Sequence, residues 1–169
     1  MAEASARDTL QPALLDRLLD DAPQQQVESR EERVITRQRL RACVLRDLGW
    51  LFNTANLQDG IDPAAHPEVV RSVVNYGVPP LAGLQMSGID HAALERWIRD
   101  ALVQFEPRFC ADSIDVRCVT DPRGANHQNR LTLEIHARLW SVPYPLEILL
   151  LSDLDLESGV VSVTERTGV

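Results

Sequence analysis

The feature that most constrains this sequence is a change of hydrophobic period between residues 105 and 114. Before the change, apolar residues recur every three or four positions, as they do in amphipathic helices. After it, apolar and polar residues alternate, as they do in strands with one buried face. Helices followed by strands predict an α+β domain, in which the helices pack on one face of a roughly four-stranded, mainly antiparallel sheet.

The first predicted helix lies in PALLDRLLDD, residues 12–21, where the spacing of the leucines gives an apolar stripe. The polar segment APQQQVES follows, and its lack of periodicity is typical of a linker. We therefore divide the chain into an N-terminal helix with its linker, residues 1–28, and a single α+β domain, residues 29–169. The helix can fold back on this domain or bind a groove of a partner protein. Its stripe consists of Leu14, Leu15, Leu18 and Leu19.

The longest helical pattern covers residues 29–54 and opens with Ser29 and Glu32 at the spacing of a capping box. Arginines three or four positions apart form a basic stripe on this helix, and each pair of like charges four positions apart costs about 0.2–0.5 kcal/mol in an isolated helix. Two sources of neutralising charge are open: neighbouring glutamates on a solvated face, or an acidic surface of a partner. The stripe consists of Arg30, Arg33, Arg37 and Arg41.

The alternating part of the sequence predicts four strands, in SIDVRCV, RLTLEIHARLW, LEILLLSDLDL and VVSVTE. A sheet of this kind has two edges, which soluble proteins usually blunt with charge or proline. In the last strand, charge comes only at its end, while Val160, Val161 and Val163 carry none. These three valines are therefore a candidate surface for pairing with another chain, unless the strand is central or covered by the helices.

The joint between the two patterns is QFEPRF, residues 104–109. Pro107 disfavours the helical conformation of the residue before it, so a helix should end at Phe105 or Glu106. A glutamate at a helix C-terminus is disfavoured by the helix dipole, which predicts a cationic partner for Glu106. That partner is either Arg108, which points to the same side of an extended chain, or the basic stripe. The pair suits an internal clamp, a docking surface or a catalytic carboxylate.

Composition excludes several classes of function. The formal net charge of −8 opposes binding to nucleic acid and to anionic membranes. The sequence has no apolar run of about 20 residues and no apolar signal core, so we expect a cytoplasmic protein without membrane insertion. Three widely spaced cysteines and four scattered histidines give neither a disulfide framework nor the spacing of a metal site. We expect no cofactor and no metal.

Catalytic motifs are also missing from the sequence. It has no glycine-rich phosphate loop, no nucleophile elbow and no HExxH zinc motif. A glycoside hydrolase would need two carboxylates about 5–9.5 Å apart, for which Glu106 could combine with Asp112 or Asp115. Arg108 favours the charged form of Glu106, however, which is the opposite of what a general acid requires. The residues therefore predict a protein that is not an enzyme.

Four segments in one order carry a resemblance to a known family: LLDRLLDD, RACVLRDLGWLFNT, HPEVVRSVVNYGVP and VQFEPRF. Together they resemble the TssE family, the small baseplate wedge components of bacterial type VI secretion systems. That family is similar to the small wedge protein of contractile phage baseplates. The resemblance covers nearly the whole chain and identifies Glu106, Pro107 and Arg108 with the family's Glu-Pro-Arg signature.

The resemblance implies a structural role at the cytoplasmic side of the inner membrane. A TssE protein joins the wedge subunits TssF, TssG and TssK to the contractile sheath, which is built from TssB and TssC. Sheath subunits connect through exchanged strands, so the resemblance implies that the last strand could seed the sheath by strand pairing. Some relatives have been labelled lysozyme-like, which leaves a peptidoglycan-cleaving hydrolase as the alternative function.

Overall fold

Helices precede a sheet in the folded chain, in the order that the change of period predicts. The computed structural model describes residues 13–18, 24, 36–57, 60, 62, 64–81, 88–119, 130–141 and 144–166. The helices are α1 Leu14–Leu18, α2 Arg37–Phe52, α3 Pro67–Val70 and α4 His91–Phe105. The strands are β1 Asp115–Val119, β2 Arg130–Leu139, β3 Leu146–Asp155 and β4 Val161–Glu165.

The strands form one antiparallel sheet in the order β1-β2-β3-β4. The two long strands β2 and β3 pair over their full length, from Arg130 opposite Asp155 to Leu139 opposite Leu146. In the part of the chain that the structure describes, β1 and β4 are therefore the two edges. This topology confirms the predicted α+β class and the four-stranded antiparallel sheet.

One face of the sheet forms the core, because alternation along β2 and β3 brings their apolar residues to the same side. Leu131, Ile135 and Leu139 on β2 are almost fully buried, while Glu134 and His136 between them belong to the other face. Helices α2 and α4 pack on the apolar face and complete a single hydrophobic cluster. Their buried residues in that cluster are Leu40, Cys43, Val44, Leu48, Leu51, Phe52, Leu94, Ile98, Ala101 and Leu102.

Helix α2 begins later than its hydrophobic pattern predicts. Thr36 has an extended backbone, with φ −72° and ψ 156°, and its side chain accepts a hydrogen bond from Arg39 N–H at 3.1 Å. Thr36 is therefore the N-cap, and the prediction that the helix starts at Ser29 is wrong. Ser29 and Glu32 themselves lie outside the described residues.

Helix α4 is capped at its start and ends where the sequence predicts. The Asp90 carboxylate accepts a hydrogen bond from Ala93 N–H at 3.0 Å, as an N-cap does. The helix ends at Phe105, and Glu106 is its C-cap residue. The proline that follows Glu106 thus stops the helix where the sequence predicts.

The segment after α2 is held by a close backbone approach at Gly77. Gly77 has φ 123°, and a Cβ atom placed there would lie 2.1 Å from Thr54 O. On either side of this contact, Val78 N–H donates to Thr54 C=O and Asn56 N–H donates to Val78 C=O, both at 2.9 Å. A residue without a side chain is therefore required at this position.

We predict that Gly77→Ala destabilises the domain by at least about 1–3 kcal/mol, because the backbone conformation alone carries a strain of this size. Gly49→Ala is the matched control, since Gly49 lies inside α2 with no atom within 4 Å of an added Cβ. That change should stabilise the protein by about 0.5–1 kcal/mol through helix propensity. Urea unfolding measures both free energies, and an unchanged midpoint for Gly77→Ala would contradict the account of the close approach.

Candidate functional site

The Glu-Pro-Arg joint forms a buried ion pair. Glu106 is only 4% exposed, and its Oε1 accepts hydrogen bonds from Arg108 N–H at 3.1 Å and from Arg108 Nε at 2.6 Å. Arg108 Nη2 also donates to Glu106 Oε2, so the guanidinium holds both carboxylate oxygens. Of the two cationic partners that the sequence left open for Glu106, Arg108 is the one in contact.

Arg108 also contacts helix α2, and the sequence did not predict this contact. Its Nη2 donates to Asp47 Oδ2 at 2.7 Å, and Asp47 lies on α2. Burial acts to lower the pKa of Arg108, but the hydrogen bonds and charges of Glu106 and Asp47 outweigh it and raise this pKa above its ordinary value. The guanidinium is therefore a fixed positive charge between two helices.

The same joint is bonded to the sheet. Arg108 C=O accepts from Trp140 N–H at 2.8 Å, and Cys110 N–H donates to Arg138 C=O at 2.8 Å. Phe109, between these two bonds, is buried and bridges to Leu139 at the end of β2. Side-chain and backbone bonds within three residues thus fix α2, α4 and the end of β2 relative to one another.

A second arginine extends this arrangement to the N-terminal helix. Arg46 donates to Asp47 Oδ1 through Nε at 2.9 Å, and its Nη1 lies 2.7 Å from Asp16 Oδ1. Asp16 is only 6% exposed although it belongs to the short helix α1. We call Asp16, Arg46, Asp47, Arg108 and Glu106 the charge network; it alternates acid and base and contains one acid more than it has bases.

Helix α1 contacts α2 through Asp16, and its leucines are exposed to solvent. Leu14 and Leu18 are 72% and 73% exposed, and Leu15 is 40% exposed. Leu19 lies outside the described residues. The helix therefore folds back on α2, which was one of the two alternatives, yet its apolar stripe stays accessible. The pattern of leucines predicted this stripe, but nothing in the spacing marked Asp16 as the contact.

The environment of Asp16 lowers the pKa of its carboxyl. Burial acts to raise the pKa of Asp16, but the Arg46 guanidinium in contact with it and the nearby Cys43 thiol lower this pKa below its ordinary value of 3.8. Burial and the adjacent Asp16 raise the pKa of Cys43 in turn. Asp16 is therefore charged, and Cys43 is a neutral thiol, at neutral pH.

The basic stripe of α2 is neutralised in part by the sheet. Arg41 Nη1 lies 3.1 Å from Glu165 Oε1 on β4, and Arg41 Nη2 donates to Glu147 C=O at 3.2 Å. Arg37 is exposed one turn earlier on the same face. Arg30 and Arg33 lie outside the described residues. The acid that contacts Arg41 is thus Glu165, and neither of the predicted sources supplies it.

Strand β4 has one part of its outer edge occupied. Bonds from Asp155 N–H to Val160 C=O and from Arg166 N–H to Leu149 C=O show that even-numbered residues direct their backbone groups toward β3. The backbone groups of Val161, Val163 and Glu165 therefore point outward. Asn53 occupies those of Val161, donating to its C=O at 2.8 Å and accepting from its N–H at 2.9 Å. The outward groups of Val163 and Glu165 have no such side chain over them among the described residues.

The carboxylates considered for hydrolysis are paired with arginines. Asp112 Oδ2 accepts from Arg138 at 2.8 Å, and Asp115 Oδ2 lies 2.8 Å from Arg117. Within the described residues, no cluster of three or more histidine, cysteine, aspartate or glutamate side chains is arranged to hold a metal ion. No helix in that part of the chain is both long and apolar enough to cross a membrane.

We predict that Arg108→Met destabilises the protein by about 3–5 kcal/mol, because it leaves the Glu106 carboxylate buried without a counter-charge. Adding Glu106→Gln should recover part of this loss, which makes the two substitutions non-additive by about 0.5–3 kcal/mol. Arg117→Met is the matched control, since Arg117 is paired with Asp115 on the surface, and it should change stability by at most about 1 kcal/mol. Denaturant unfolding of the natural protein, Arg108→Met, Glu106→Gln, the double variant and Arg117→Met gives the comparison, and additive effects of the two buried substitutions would rule out the ion pair.

We also predict that α1 detaches in acid. Because the pKa of Asp16 is lowered in the folded state, its stabilising contact is complete above the ordinary value of 3.8 and is lost as the pH falls through the lowered pKa. Asp16→Asn should detach the helix at neutral pH while the rest of the domain stays folded. Hydrogen exchange of the amides of residues 14–18 measures the detachment. Equal protection of these amides in Asp16→Asn and the natural protein would show that another contact holds α1.

The sequence matches the family described as Baseplate wedge protein gp25 over residues 38–144. No curated protein and no solved structure matches the chain. The matched region begins in α2 and ends before β3, so it contains Arg46, Asp47, Glu106 and Arg108 of the charge network. Because the match covers more than half of the chain, this protein belongs to the baseplate wedge protein gp25 family.

Proposed function

We propose that this protein is the TssE component of a type VI secretion baseplate, and that it links the wedge to the contractile sheath. Its wedge partners are TssF, TssG and TssK, and its sheath partners are TssB and TssC. The family match supports a baseplate role, and the four TssE-like segments of the sequence support this particular system. The protein acts in the cytoplasm, in a baseplate docked at the inner membrane.

The sheath-facing surface in this proposal is the outer edge of β4. The observation that carries it is the outward direction of the backbone groups of Val163 and Glu165 on a strand at the edge of the sheet. An extended segment of a sheath subunit can add there as a fifth strand, with main-chain hydrogen bonds giving affinity and alternating side chains fixing the register. Of the predicted valines, Val160 lies in the turn before β4 and Val161 is covered by Asn53, so Val163 is the central residue of this surface.

The wedge-facing surface in this proposal is the leucine stripe of α1. Asp16 holds the helix on α2 while Leu14, Leu15 and Leu18 face away from the domain. A partner with an apolar groove can cover these leucines, as in other complexes of an amphipathic helix with a groove. We accordingly keep residues 1–28 as a docking segment and residues 29–169 as the wedge domain.

The charge network supplies the rigidity that such a linker requires. Pairing at β4 and docking at α1 are productive only if the two surfaces keep a fixed relative orientation. Arg108 contacts α2 through Asp47 and the C-cap of α4 through Glu106, while its backbone is bonded to β2. Glu106, Pro107 and Arg108 therefore act as a clamp that sets the docking geometry. Glu106→Ala or Arg108→Ala should each impair sheath assembly, and normal assembly with both changed would remove the clamp from this proposal.

The alternative function, peptidoglycan cleavage, makes a separate demand on Glu106. A general acid must release its proton to the leaving group, whereas both Glu106 oxygens accept hydrogen bonds from Arg108. Turnover of purified peptidoglycan by this protein, abolished by Glu106→Gln without unfolding, would overturn the structural proposal.

We predict that Val163→Pro blocks sheath seeding and leaves the domain folded. The proline removes the N–H group that points outward, and this group makes no hydrogen bond to β3. The loss of that donor and the bulk of the ring should reduce seeding by about tenfold or more. Thr164→Ala is the control for an exposed side chain on the same strand, and it should seed normally. Electron microscopy of sheaths grown from purified wedge complexes gives the count of seeded sheaths. Full seeding by folded Val163→Pro would show that this edge is not the sheath-facing surface.

We predict that Leu15→Asp combined with Leu18→Asp weakens wedge binding while the isolated protein keeps its melting temperature. Both side chains are exposed, so their replacement removes no core contact. Thermal unfolding and a pull-down with the wedge subunits measure the two effects separately. Loss of the fold would instead show that the leucines pack within the domain.

A further inference from the structure

A groove lies between the first half of α2, the first residue of β3 and the last residue of β4. Its volume is about 470 Å³, which is enough for two or three side chains. Its lining contains both apolar side chains and two arginines. The lining residues are Arg37, Gln38, Arg41, Ala42, Leu45, Leu146 and Glu165.

Arg41 marks the point at which the ladder between β3 and β4 gives way to this groove. The Leu149 carbonyl accepts from Arg166 N–H, and the next β3 carbonyl on that side belongs to Glu147. Arg41 Nη2 donates to the Glu147 carbonyl at 3.2 Å, and Arg41 Nη1 contacts Glu165 at 3.1 Å. A helix side chain thus occupies the β3 acceptor that comes next after the last described bond to β4, and Arg41 also lines the groove.

The two ends of β4 therefore differ for a strand that approaches from outside. At the Val161 end, Asn53 occupies both outward backbone groups. At the Glu165 end, no side chain of the described residues is bonded to the outward groups, and Glu165 itself lines the groove. A segment that pairs with Val163 and Glu165 is blocked by Asn53 in one direction, and in the other it can extend past Glu165, which also lines the groove.

We propose that this groove receives the end of the segment that pairs with β4, and that this end carries an apolar residue next to a carboxylate. The inference rests on the proposed strand pairing and adds the chemistry of its partner. The apolar residue of the segment contacts Leu45 and Leu146, which line the groove. Its carboxylate pairs with Arg37, on the face of α2 where Arg41 already contacts Glu165.

Charge supports an acidic occupant. The groove contains two arginines and one glutamate, so its formal charge is positive although the protein as a whole has a formal net charge of −8. The net charge of the protein opposes an acidic partner segment in general, whereas Arg37 attracts it at the groove, which favours one register over others. The groove thereby selects the partner segment, while the backbone of β4 binds it.

Photo-crosslinking in the assembled complex of the full chain with wedge and sheath subunits tests this proposal. Benzoylphenylalanine replaces Gln38 in the groove in one variant and Thr164 beside the edge of β4 in another. We expect both to capture the same sheath segment, with the Gln38 position capturing residues next to an aspartate or glutamate. Arg37→Glu should lower the yield at Gln38 about tenfold. Arg39→Glu, the same charge change on the same helix outside the groove, should leave the yield unchanged.

The possible results separate the two proposals. Capture at Thr164 without capture at Gln38, or equal loss from Arg37→Glu and Arg39→Glu, overturns the groove and leaves strand pairing intact. No capture of sheath at either position overturns strand pairing and the groove with it. Changing the captured carboxylate to lysine should restore the yield in Arg37→Glu, and no recovery would show that Arg37 does not contact it.

Discussion

The ion pair between Arg108 and the buried carboxylate of Glu106 is the interaction on which the rest of this fold depends. A glutamate at the C-terminus of a helix is opposed by the helix dipole, and burial opposes its charge further. Arg108 offsets both unfavourable effects, because Pro107 ends the helix and places the side chains of Glu106 and Arg108 on one side of the chain. Once fixed there, the guanidinium reaches Asp47, and α2 is positioned against α4 by the same charge.

The charge network shows how a local pair can organise distant segments. Asp47 is shared by Arg108 and Arg46, and Arg46 is shared by Asp47 and Asp16, so each charge after the first is oriented by its neighbour. Partly buried charges of alternating sign are stable only as a connected set, since removing one leaves its neighbours without a partner. The N-terminal helix is therefore linked to the Glu-Pro-Arg joint through two residues of α2.

On each edge of the sheet, a side chain from a helix or its cap bonds the outward backbone of one residue. On β1, the Glu95 carboxylate from α4 accepts from Cys118 N–H at 2.8 Å. Burial and this carboxylate also raise the pKa of the Cys118 thiol to about 11, so the thiol is neutral at neutral pH. On β4, Asn53 covers only the Val161 end. Side chains of the helices thus decide where an edge is closed to another strand and where it is open.

The sequence by itself determined the order of helices and strands, the buried row of β2, the end of α4 and the pairing of Glu106 with a cation. Each of these follows from periodicity or from the conformational preference of residues within a few positions, so local sequence is sufficient. The predicted start of α2 was wrong because the capping-box spacing at Ser29 is as strong a local signal as the cap that forms at Thr36. Only the tertiary structure decided that Asp47 meets Arg108 and that Asn53 meets Val161, since these partners are 61 and 108 positions apart. Contacts at such separations depend on how the helices pack on the sheet, and no spacing in the sequence encodes them.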